Sequence, residues 1–189
     1  MLGTVLLALV TAAFQPVTPA TSAQAVEVFV RDPGAQAQPG PDGHDYGLRP
    51  PRDTDSDATP LYNAHGDSVK TLLGVWRTAD GTATFDPLRD GVRVRAVFRG
   101  LVPGARYSLF VRQLAGRTGP VFTPLDITGA QNNFTADTLG RGEIVLVSPL
   151  QLPPGSQLAL IYHSDGLDHQ SSLGNPGVNA HVQLITRVP

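Results

Sequence analysis

The chain has 189 residues, of which 16% are charged, with a formal net charge of −2, 20 glycines, 17 prolines and no cysteine. No Lys/Arg cluster is present to match a phosphate backbone, so nucleic acid is not expected as a partner, and no apolar run reaches about 18 residues, so no membrane span is expected. A Gly/Pro-rich chain with abundant Val, Thr and Leu suits one all-β domain with many turns; without a disulfide it must be held by its core alone.

Leu2–Phe14 (LGTVLLALVTAAF) is an apolar stretch of signal-peptide length, and Ala23-Gln24-Ala25 downstream is a small-x-small cleavage site. Residues 1–25 are therefore read as a leader, and the mature protein as secreted or periplasmic. The basic start of a typical leader is missing, because no Lys or Arg precedes Arg31. No cysteine is available for a lipid anchor.

Residues 26–32 (VEVFVRD) alternate apolar and polar positions and read as an opening strand. From 33 to 60 the composition shifts to Pro, Gly, Asp and Gln, which predicts a loop or linker that builds no core. The β-sandwich domain is expected over 61–189.

Strand signals then arrive regularly. Ser68–Arg77 (SVKTLLGVWR) precedes the turn residues Asp80-Gly81, and Thr82–Pro87 follows. In Val92–Gly100 (VRVRAVFRG), Val92, Val94, Ala96 and Phe98 share one face and Arg93, Arg95, Val97 and Arg99 the other, as in an antiparallel strand with one wet side. Arg106–Leu114, Asn133–Asp137, Gly142–Ser148, Gln157–His163 and Asn179–Arg187 complete the series. Short strands at turn-marked intervals predict an antiparallel Greek-key β-sandwich of about eight strands, immunoglobulin-like in general plan. In the link Gly100–Tyr107 (GLVPGARY), Leu101 is expected in the core, Pro103-Gly104 at a turn, and the Tyr107 hydroxyl back on nearby backbone, as in a tyrosine corner.

The densest chemistry lies near the end. His163, His169 and His181 are spaced H-x5-H-x11-H, with Asp165 and Asp168 between them. Neutral imidazoles suit copper or zinc, and a carboxylate could complete such a site. The competing reading is a polar turn between two strands, since SDG and GNPG are ordinary turn chemistry. Ser164 beside His163 and Asp165 makes a poor triad, because adjacent strand residues point to opposite faces. Asp53, Asp55 and Asp57 resemble the start of a calcium loop, but Ala58 and Ala64 stand where Gly and a bidentate Glu are required. Asn133-Phe134-Thr135 is a formal glycosylation sequon.

Three segments in order resemble the copper–zinc superoxide dismutases. Asp80–Gly104 (DGTATFDPLRDGVRVRAVFRGLVPG) is similar to that family's G-T-x-x-F strand, polar turn, next strand and G-L-x-P-G turn. Leu158–His169 (LALIYHSDGLDH) resembles its strand ending in a copper-binding histidine, and Gly174–Asn179 (GNPGVN) its turn before the last strand. The resemblance implies a dismutase-like sandwich with His163 as the copper-ligand equivalent. It also marks departures. Tyr107–Arg112 (YSLFVR) stands where the family has H-x-H, Ala115–Phe134 contains Asp126 but none of the zinc-loop histidines, and Asn179 replaces the guiding arginine.

Two functions are expected from these residues. The first is an exported, non-enzymatic domain with no cofactor, which binds an extracellular or envelope partner through end loops at Gly119–Asn133 and Ser164–Gly177. The alternative is a copper- or zinc-binding protein that uses His163, His169 and His181.

Overall fold

The computed structural model describes residues 20–21, 23–24, 27–32, 47–114 and 119–189. In chain order the first elements are β1 (Ala20–Thr21), β2 (Ala23–Gln24), β3 (Phe29–Arg31), β4 (Leu48–Arg49), β5 (Pro60–Tyr62), β6 (Ser68–Leu72) and the one-turn helix α1 (Leu73–Arg77). The longer strands follow as β7 (Asp80–Leu88), β8 (Gly91–Arg99), β9 (Arg106–Leu114), β10 (Pro120–Pro124), β11 (Asn133–Thr135), β12 (Gly142–Ser148), β13 (Gln157–His163) and β14 (Ala180–Arg187).

The architecture is all-β, and the strands pair antiparallel throughout the described residues, an arrangement compatible with a β-sandwich. One sheet runs β1-β7-β8-β12 and a second β10-β9-β13-β14-β2, with β11 also on β9; a small third sheet runs β4-β3-β5-β6. Period-two patterning builds the first sheet. On β8 the residues Val92, Val94, Ala96 and Phe98 are buried, whereas Arg93, Arg95, Val97 and Arg99 face solvent. Each large apolar side chain sealed this way contributes roughly 1.5–3 kcal/mol.

The second sheet is different. Every residue of β13 from Leu158 to His163 is buried, without alternation. A run such as LALIYH signals a strand covered on both faces. Leu158, Leu160 and Tyr162 join the main core with Leu109, Phe85 and Trp76. Ala159 and Ile161 join a smaller core on the other face with Phe110, Ala180 and Val182, covered by Phe122, Leu173 and Ile185.

The link after β8 behaves as its residues require. Leu101 is buried, Gly104 turns at φ +70°, and the Tyr107 hydroxyl accepts the Val102 N–H at 3.0 Å. The same hydroxyl donates to Gln183 Oε1 at 2.8 Å, and Gln183 Nε2 donates to the Trp76 carbonyl at 3.2 Å. A bulge between Leu160 and Ile161 leaves Gln183 unmatched in the β13–β14 register.

Two segments differ from simple strand-and-loop expectations. Ser68–Arg77 splits into β6 and α1, because Leu73 and Trp76, three residues apart, both turn into the core. Residues 47–60 contribute no buried side chain, yet they are tied down by charge. Arg49 donates to Asp32 at 2.9 Å and to both oxygens of Asp55 at 2.8 and 2.6 Å. The Arg49 bidentate contact, reinforced by the Arg52 N–H, holds the Asp55 carboxyl well below the usual carboxylate range. The apolar stretch of the leader and residues 33–46 lie outside the described residues; β1 and β2 fall within the segment read as the leader and pair with β7 and β14.

Candidate functional site

Strand parity separates His163 from His181. His163 ends β13, in register with Arg106 on β9 and Ala180 on β14. It therefore shares the outer face of the second sheet with Ser108 and Phe110. Tyr162 is in register with His181, so His181 lies on the inner face, its ring centroid 6.0 Å from that of Tyr162. His163 and His181 are on neighbouring strands but point to opposite sides of one sheet.

On the outer face, His163 is only 2% exposed and its Nε2 meets Ser108 Oγ at 2.7 Å. Its Nδ1 is buried without a hydrogen-bond partner. An unmet buried polar atom costs about 1–3 kcal/mol. Burial, together with the neighbouring His169, pushes the His163 imidazole down to about 4, against the weaker opposing pull of Asp165 and Asp168.

The chain after β13 folds back over this ring. Ser164 N–H donates to the Asn179 carbonyl at 3.0 Å, and a turn at Gly166 closes on the His163 carbonyl at 3.1 Å. His169 then returns above His163, ring centroids 5.0 Å apart. Its Nε2 lies 3.0 Å from Asp165 Oδ2. Asn179 Nδ2 donates to the same oxygen at 2.8 Å, and the Leu167 N–H donates to Oδ1 at 3.1 Å. Partial burial would raise the Asp165 carboxyl, but these donors outweigh it and the group sits low. One ligand atom each from His163, Asp165 and His169 falls within 4.8 Å of the others.

His181 stands apart from this cluster. It is fully buried, its Nε2 meets Ser164 Oγ at 3.1 Å, and its Nδ1 has no hydrogen-bond partner. Burial holds its imidazole below the usual range, although the Glu27 and Val178 backbone favours the charged ring. Ser164 is thus engaged with His181, and Asp165 with His169; the consecutive residues 163–165 form no triad.

The second loop closes over the first. Gly129, at φ +76°, packs so tightly that an added Cβ would stand 2.1 Å from the Gln170 carbonyl carbon. Asp126 caps its own loop, accepting the Gly129 and Gln131 N–H groups, each at 2.8 Å. Arg106 bridges the base, donating to Asp168 at 3.0 Å and to Thr135 Oγ1 at 3.0 Å. Ile127 and Gln170 are held at φ 66° and 53°, and Ile127 and Leu167 are exposed. A β-branched residue at positive φ is strained, and such strain concentrates at functional loops.

No protein-family model matches the chain, and no curated protein gives a significant match. The donor set implied by the dismutase resemblance does not fit a redox copper. On β9, Leu109 and Val111 belong to the main core and Phe110 to the second core, so hydrocarbon occupies the strand that would carry H-x-H. Asp126 is committed to its own loop, accepting from the Gly129 and Gln131 N–H groups and from Thr128 Oγ1. What remains is a smaller set of two imidazoles and one carboxylate. Ser108 and Asn179 position it, and nothing in the spacing of the chain marked either residue for that role.

Proposed function

We propose that this chain is an exported, non-enzymatic domain with a superoxide dismutase-like Greek-key scaffold that binds an extracellular or envelope partner through two end loops. The connection order supports the scaffold. The chain passes from β8 to β9 in the other sheet, returns to β12 beside β8, then crosses to β13 beside β9. The burial of Leu109, Phe110 and Val111 in place of ligands supports a body built for packing rather than for redox chemistry.

The meeting of the two loops carries the binding reading. Gly129 against Gln170 and Ser171 joins residues 119–133 and 164–177 into one surface. That surface presents exposed Ile127 and Leu167 and carries the Arg106–Asp168 pair. Loops held rigidly on a sheet end are the usual carriers of binding function.

The test uses the full chain with a C-terminal tag. N-terminal sequencing of the exported product is expected to begin at Val26; retention in the cytoplasm with Met1 intact overturns export. Cross-linking in the exported fraction is expected to yield a partner with the wild type that is lost in an Ile127→Asp/Leu167→Asp variant. The same products from both proteins overturn the loop surface.

A further inference from the structure

We propose that His163, Asp165 and His169 bind a divalent transition metal of the zinc class, with the fourth coordination position open to solvent. This goes beyond the loop-binding reading and does not depend on it. The first observation is the cluster itself, in which three donors of the right chemistry lie within 4.8 Å of one another. Two imidazole nitrogens and a carboxylate oxygen are a donor set that zinc accepts while keeping one position for water.

The second observation is independent. His163 is buried, its Nε2 meets Ser108 Oγ at 2.7 Å, and Nδ1 has no partner. Metal-bound histidines typically donate the N–H of the non-ligating nitrogen to a nearby oxygen. If Nε2–H donates to Ser108 Oγ, the lone pair of the imidazole is on Nδ1, the atom left without a partner. A metal satisfies that lone pair.

The remaining geometry is compatible. His169 Nε2 and Asp165 Oδ2 stand 3.0 Å apart, about the spacing of two ligands each roughly 2.0–2.1 Å from one ion. The widest pair, at up to 4.8 Å, must draw in by roughly 1.4 Å to reach a tetrahedral edge. Asp165 and His169 lie in the returning loop, with side chains 26% and 19% exposed, and have room to do so. Asn179, holding Asp165 Oδ2 at 2.8 Å, orients the carboxylate. On binding, the metal replaces the His169–Asp165 hydrogen bond; the Nε2 proton leaves to solvent or shifts to Nδ1 as the nitrogen becomes a ligand.

The test is zinc titration of the chelator-treated full chain, followed by calorimetry, with the d–d spectrum of added Co2+ as a readout of geometry. One equivalent is expected, with an intense Co2+ spectrum of four-coordinate form. Asp165→Asn and His169→Ala should each weaken binding at least tenfold, Ser108→Ala roughly 10–100-fold, and His181→Asn less than twofold. Asp165 and His169 are surface-loop residues, so these variants remain informative even if His163→Ala fails to fold; Trp76 fluorescence verifies folding. Absence of binding by the folded wild type overturns the site. So does binding by Asp165→Asn and His169→Ala at wild-type strength, or a loss in His181→Asn equal to theirs. Each of these outcomes leaves the partner cross-linking result unaffected, so the two readings fail separately.

Discussion

Tyr162 and His181 face each other across β13 and β14, ring centroids 6.0 Å apart and inclined by 33°. That contact fixes His181 on the inner side of the second sheet. His163, one residue beyond Tyr162, is thereby committed to the outer side. Parity separates His163 from His181, the loop after β13 brings His169 back over His163, and Asp165 takes the place beside those two.

Tyr107 joins three parts of the inner face through one hydroxyl. Tyr107→Phe removes the acceptor for Val102 N–H and leaves Gln183 Oε1 buried without its donor. A loss of about 1–3 kcal/mol is expected, measured as a shift in the urea midpoint at constant m-value. An unchanged midpoint would mean that water replaces the hydroxyl.

Gly129→Val should open the loop surface. The new side chain meets the Gln170–Ser171 backbone at an impossible distance, and φ +76° disfavours any β-branched residue. Hydrogen exchange of residues 164–177 should accelerate strongly, while β8 and β12 stay protected. Uniform acceleration would argue against a local joint.

Acid should destabilise the metal-free protein before carboxylates titrate. The folded-state values of His163 and His181 are depressed, so below about pH 6.5 the unfolded chain takes up protons that the folded chain refuses. The stability is fully present above pH 6.5 and is lost as pH falls through about 4, where His163 charges in the folded state. For His163 alone the linkage is on the order of 3 kcal/mol. Urea midpoints at pH 7.5, 6 and 5 should fall in that order; a flat series would mean that the rings are hydrated.

Asp55→Asn should loosen residues 47–60 without unfolding the body. The segment has no buried side chain and is fastened by Arg49 to Asp32 and Asp55. Limited proteolysis is expected to cut this segment faster in the variant, with the thermal transition nearly unmoved. Equal cutting rates would show that the β3–β4 pairing alone suffices.

Trp76, the single tryptophan, is fully buried edge-on to Tyr162 at 5.9 Å. Its emission should be blue-shifted in the folded state and move to the red in one step on unfolding. A red native maximum would contradict the placement of α1 over the core.

Much of the strand body was legible in the chain because its signals are local. Alternation on Val92–Gly100 sorts buried from exposed residues one by one, and GLVPGARY carries the turn and the tyrosine that closes it. The split of Ser68–Arg77 was less legible: a run of apolar residues is compatible with a strand until Leu73 and Trp76 are seen to need the same core. The composition of residues 33–60 predicts a loop or linker, but the anchoring by Arg49 depends on Asp32, outside the segment, meeting it together with Asp55 inside.

The amino-acid sequence by itself determined an all-β chain without cysteine, where its strands alternate, and that its polar chemistry gathers after His163. Only the tertiary structure decided which of those polar groups meet. Side-chain direction along a strand is set residue by residue, but which faces coincide depends on the register between strands far apart in the chain. Ser108 on β9 and Asn179 in the turn before β14 orient the cluster, and no spacing along the chain encodes that convergence.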